Sequence, residues 1–363
     1  MHNRILINIG FYILLLFAFM IPVHAAASYI LAILLFVVWF IDSLIFKELG
    51  MSDKQLYYPL LSFDIFLILG WIVASLYGKE FPLVYVGFLA LIYFIVPGFI
   101  TTVEQRRMVI WTFLAGTMLM VGFHLIEWWR STSTSTNINL HIAQPLLTFI
   151  TMAFAILIAL YAESRDQKEK FFLALMTFPL ALIMFLSGDK AILIAMLLIV
   201  LIAALIRDRL LFIPLVFLIL IFFTGVFEVK YYLQKSMQSE DLWTYIQQTP
   251  EQISDFSNKI ISTPFYGNAA STEAQNESTG SFFLDFLFWA GPPAILFLLW
   301  VLIERAREAF LKNRRLSAEE SHPYHLAVFL TICALVVLDI YDQPFLYPQI
   351  ILASWMLWGM SEI

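Results

Sequence analysis

Two apolar runs stand almost back to back, AILIAMLLIVLIAALI over residues 191–206 and LLFIPLVFLILIFFTGVF over 210–227, separated only by Arg207, Asp208 and Arg209. A soluble core has no use for two such segments in succession, whereas roughly 17 to 25 apolar residues are what a helix needs to cross a bilayer. Neither run alternates apolar with polar residues, which argues against the strands of an outer-membrane barrel. Working outward, the same pattern recurs at 5–23, 26–46, 57–78, 82–100, 108–129, 142–162, 171–186, 189–206, 281–303, 325–340 and 344–360. The composition agrees, with 61% hydrophobic and 13% charged residues and a mean hydropathy of +0.84. The expected fold is all-α: a polytopic integral membrane protein, 1–363 forming a single membrane domain of about 12 transmembrane helices.

Tight connections at Ser187-Gly188-Asp189 and Tyr341-Asp342-Gln343 predict helix pairs that turn within the headgroup layer. The first segment lacks a small-residue cleavage pattern and a second span follows at once, so it reads as a span and not as a signal peptide. One long polar stretch interrupts the membrane pattern, at 228–280, and it alone is large enough to hold a site outside the lipid.

Orientation follows from the cations, because loops rich in Lys and Arg stay on the cytoplasmic side. With the amino terminus inside, 15 of the 21 Lys and Arg residues fall in inner segments and 6 in outer ones. Both termini are then expected in the cytoplasm, and 228–280 becomes a large loop on the outer side.

Other classes drop out. A net charge of -6 offers no basic face for nucleic acid. The single cysteine, Cys333, excludes an intramolecular disulfide. Six scattered histidines, with no Cys/His spacing, predict neither a metal nor a cofactor site, and no Gly-x-Ser-x-Gly, His-Glu-x-x-His or Walker lysine loop occurs. The Ser/Thr run 131–137 reads as a polar linker.

The informative residues are ionisable ones near the lipid, since each costs roughly 2.5 to 3.5 kcal/mol at a span centre and tends to mark a function. They crowd the outer ends: His124, Glu127 and Arg130; His141; Asp189 and Lys190; Glu228 and Lys230; Asp285; Asp339 and Asp342. His124, Glu127 and Arg130 share one helical face by their spacing. Asp285 lies about 7 Å down its span at the helical rise per residue. Bland readings stand beside these. Arg130 and Asp342 suit solvated span ends, His124 and Glu127 a structural pair, and Lys190 a snorkelling cation. Asp285 has nowhere to snorkel, and a partner in Lys190 or Arg130 is expected if spans five, eight and ten meet around a cavity under the loop.

Three stretches in order carry a family resemblance. FLSGDKAIL at 185–193 resembles the Ser-Gly turn and following helix of the O-antigen polymerase and ligase superfamily. KIISTPFYG at 259–267, ESTGSFFL at 277–284 and Trp289-Ala290-Gly291 are similar to its long periplasmic loop and the helix after it. Residues 339–346, with Pro344, are like the turn before its last span.

The resemblance implies a repeat-unit polymerase. Its substrates would be oligosaccharides on undecaprenyl diphosphate, joined by metal-independent glycosyl transfer at the periplasmic face. It also implies the bilayer, a chain-length regulator and a flippase as partners. A departing diphosphate needs positive charge, available here from Lys190, Arg130, Lys230 and Lys259, with Asp189 and Tyr266 as further substrate contacts. A base for the attacking hydroxyl is available in Glu277, Asp285, Glu127 or His141, and the sequence does not choose among them. Loop 228–280 contains only lysines where the family's polymerases and ligases commonly carry an arginine, and it lacks the ligase-type histidine, departures that lower the ligase reading. A flippase for the same lipid is the competing class, weakened by the absence of an internal repeat.

Overall fold

The computed structural model describes residues 2–46, 57–76, 84–132, 144–213, 216, 282–315, 323–341 and 344–360. Every regular element among them is helical: α1 His2–Val23, α2 Ala25–Phe46, α3 Tyr57–Leu76, α4 Val84–Phe99, α5 Val103–Thr132, α6 Gln144–Glu163, α7 Gln167–Leu186, α8 Lys190–Ile206, α9 Phe282–Arg315, α10 Pro323–Tyr341 and α11 Pro348–Met360. Short 3-10 turns occur at Arg209–Leu211 and Pro344–Leu346. By length and composition α1, α2, α5, α6 and α7 are able to cross a membrane, and α3, α4, α8 and α10 carry shorter apolar stretches. Loop 228–280 and most of the span expected at 210–227 lie outside the described residues.

Helix starts follow capping chemistry. Before α5, Thr102 Oγ1 accepts from the Gln105 N–H at 3.2 Å, and Gln105 Oε1 accepts in return from the N–H groups of Thr101 and Thr102. This reciprocal box begins the helix at Val103 and not at the expected 108. Asp166 caps α7 and Asp189 caps α8, each carboxylate accepting a first-turn N–H.

The span expected at 281–303 also runs further, to Arg315. Its polar extension is supported by neighbouring charges on one face, Arg305 to Glu308 at 2.6 Å and Lys312 to Glu308 at 2.7 Å, with Arg307 paired to Glu304. Near its start α9 is broken at Gly291, where φ of 84° excludes most side chains, and Pro292 and Pro293 restart it.

The centre is made by α6, almost wholly enclosed, and by α11, buried from Ile350 to Met360. α10 packs on α6, α8 and α9, α4 packs on α11, and α1 packs on α2 and α5. Two glycines permit close approach: a Cβ on Gly116 would stand 2.4 Å from the Phe19 carbonyl oxygen, and one on Gly359 2.7 Å from that of Tyr93. Small residues at helix crossings are how apolar helices gain contact where lipid supplies no hydrophobic drive. On the periphery α2 and α7 present Ile30, Leu44, Phe171 and Phe178 bare, a surface suited to lipid and not to water.

The bundle has two distinct ends. At one, ion pairs tie helix termini together: Glu163 to Arg207 at 2.7 Å, Lys170 to Asp208 at 2.8 Å and Arg107 to Glu169 at 3.4 Å. The other, the loop end, gathers the starts of α6, α8 and α9 and the close of α10. Ring contacts between Phe310 and Phe329 and between Phe282 and Phe345 set α9 antiparallel to α10.

Candidate functional site

At the loop end, a three-residue turn presents Lys190. Ser187 closes α7 with its hydroxyl on the Met184 carbonyl at 2.7 Å. Gly188 follows with φ of 66°, a left-handed conformation that favours glycine, and Asp189 opens α8 in an extended conformation. Asp189 uses both carboxylate oxygens within the protein. Oδ1 accepts from the Ile192 N–H at 3.2 Å and Oδ2 from Gln144 Nε2 of α6 at 3.3 Å. It therefore orients the turn.

Lys190, the first residue of α8, is half-buried. A cation at a helix N-terminus opposes the macrodipole, so Asp189 beside it and any anion brought to this end both relieve the same local excess of positive charge.

Two carboxylates are sealed at this end: Asp285, 1% exposed in the first turn of α9, and Asp339, 0% exposed near the end of α10. Asp285 benefits from the α9 dipole and is walled by aromatics. Phe282 lies 5.4 Å from both Phe286 and Phe345 between ring centroids, and Phe286 lies 5.9 Å from Phe63. Asp339 Oδ1 accepts from the Phe345 N–H at 3.3 Å, which folds the turn after α10 back onto the Phe282 ring. Both carboxylates interact with neighbours, as buried charges must.

α10 packs against both α8, which opens with Lys190, and α9, whose first turn bears Asp285, while α5 packs on α1, α6 and α7. Arg130 is exposed in the last turn of α5. Glu127 is 73% exposed and pairs with His124 at 3.6 Å, the arrangement of a surface pair and not of a sheltered base. His141, Glu277, Lys230, Lys259 and Tyr266 lie outside the described residues.

Gln144 and Asp339 belong to the arrangement although neither ranked among the sequence-derived site residues. Asp339 carried a signal, a carboxylate at the end of an apolar run. Gln144 carried no signal in the sequence.

The described assembly offers a lysine for anionic charge and two sheltered carboxylates for proton transfer. Among the described residues no cluster of three or more His, Cys, Asp or Glu is able to hold a metal. No family model and no curated protein matches the chain.

Proposed function

We propose that the chain is a repeat-unit polymerase of the bacterial inner membrane, spanning it many times with both termini in the cytoplasm and the loop end toward the periplasm. The observation that carries this reading is the SGDK turn. Its sequence resembles that of the O-antigen polymerase superfamily, and its geometry offers Lys190 at the start of α8, at the end of the bundle that also bears Asp285 and Asp339.

In the proposed reaction a hydroxyl of the terminal sugar on one lipid-linked unit attacks the anomeric carbon of the other chain. The new C–O glycosidic bond forms as the bond from that carbon to the diphosphate oxygen breaks, and undecaprenyl diphosphate leaves. Lys190 neutralises charge growing on the leaving diphosphate. Asp285 takes the hydroxyl proton, aided by its dry surroundings. The bilayer, a flippase that delivers substrate and a chain-length regulator are the proposed partners.

The deciding experiment is the polysaccharide ladder from a deletion strain. Product capped with a single repeat supports a polymerase, product with no attached repeat supports a ligase, and an unaltered ladder overturns both.

A further inference from the structure

At the ion-pair end, away from the loop-end site, the guanidinium of Arg106 is enclosed without an anion among the described residues. Arg106 is 1% exposed, and its Nε and Nη1 are shut off from solvent with no hydrogen-bond acceptor. Its guanidinium stacks over the Tyr324 ring, 5.3 Å from guanidinium carbon to centroid. That ring belongs to the first turn of α10, so the cation lies against the N-terminus of a second helix. Both features favour negative charge at the same place.

Among the described residues the nearest charged neighbours do not supply it. Arg107, on the next position, is turned outward to Glu169. Glu104, in the first turn of α5, is felt by Tyr324 but bonds neither Nε nor Nη1 of Arg106. Donors thus remain on the side edge and the far end of one guanidinium plane, a demand that an anion with several oxygens meets and a single water does not. Arg106 also lies about one helical turn inside α5, the depth of headgroups at the edge of a bilayer.

We infer that Arg106 and the first turn of α10 form a phosphate-binding site between α5 and α10, taking the phosphodiester of a phospholipid headgroup or a free phosphate. The site is independent of the polymerase reading, because no residue of the loop-end cluster contributes to it.

The test uses full-length protein, delipidated in a nonionic detergent, and follows thermal unfolding. Three additions are compared at matched ionic strength: dioleoylphosphatidylglycerol, dioleoylglycerol lacking the phosphate, and inorganic phosphate against chloride. Stabilisation by phosphatidylglycerol but not by dioleoylglycerol or inorganic phosphate identifies a lipid headgroup. Stabilisation by inorganic phosphate as well identifies a site open to free anion. In either case R106Q weakens the apparent affinity roughly tenfold or more, R106K weakens it less, and R107Q leaves it unchanged. No stabilisation of the wild type by any phosphate compound overturns the site, whether or not R106Q folds. Equal responses in wild type and R106Q overturn it as well.

Discussion

Arg305 of α9 donates from Nη2 to the carbonyl oxygen of Trp358 at 2.7 Å. That carbonyl belongs to the last turn of α11, where helix geometry leaves four C=O groups without partners. A cation at a C-terminus also complements the dipole. The same guanidinium pairs with Glu308 at 2.6 Å and faces the Tyr93 ring of α4 at 5.7 Å, so one side chain ties three helices together.

Replacing Arg305 with Met should therefore cost about 3 kcal/mol or more, because it strands a buried carbonyl and loosens Glu308. Glu308→Gln should cost less, since Arg305 keeps its bond to Trp358. Detergent melts of the two variants check the order; an equal loss in both would assign the effect to the ion pair alone.

A pH effect is expected at Asp208. Burial pushes its carboxyl up, but the Lys170 hydrogen bond, the Leu210 N–H and the Lys170 charge together outweigh that and hold it below the usual carboxylate range. A depressed value in the folded state contributes stability above the ordinary aspartate range, near 4. It is lost as pH falls through the lower, folded value. Melts between neutrality and the acid range should show a steeper decline for wild type than for D208N. Parallel curves would remove Asp208 from the account.

Local features were legible in the chain and tertiary ones were not. Gly188 as a left-handed turn residue and Asp189 as a cap are decided by their immediate neighbours, and Asp285 betrayed itself as a charge below the end of an apolar run. Arg106 and Arg305 entered the sequence reading only as two of the 15 inner cations, because what buries them is α10 and α11, which arrive later in the chain. Which helix stands beside which depends on packing such as Gly359 against Tyr93, invisible to periodicity.

Lys190→Ala should abolish polymer while the protein remains in the membrane, and Lys190→Arg should restore part of it by keeping the charge. Ladder gels with parallel immunoblots make the comparison. Full-length polymer from the alanine variant would release Lys190 from any role in handling phosphate.

Topology is open to labelling with an impermeant thiol reagent in intact cells, in a background with Cys333 replaced. Cysteine at Ser239 or Thr272 should react, whereas cysteine at Gln167, exposed at the start of α7, should react only after the membrane is opened. Asn313 is unsuitable as the inner probe because it is buried and would stay silent on either side. Reaction at Gln167 in intact cells would invert the bundle.

The two sealed carboxylates should separate by kind of failure. Asp339 holds the Phe345 N–H, and an amide oxygen is still able to accept that bond, so D339N should keep the turn and most of the polymer, whereas D339A should lower thermal stability and protein level. Asp285, if it takes the proton, has no such substitute. D285N matches its shape and should lose polymer with little change in melting temperature, and D285E should recover some activity by restoring a carboxylate. Loss of fold in D285N, or wild-type ladders from it, would make Asp285 a structural residue of the aromatic wall and turn attention to Glu277 in the loop.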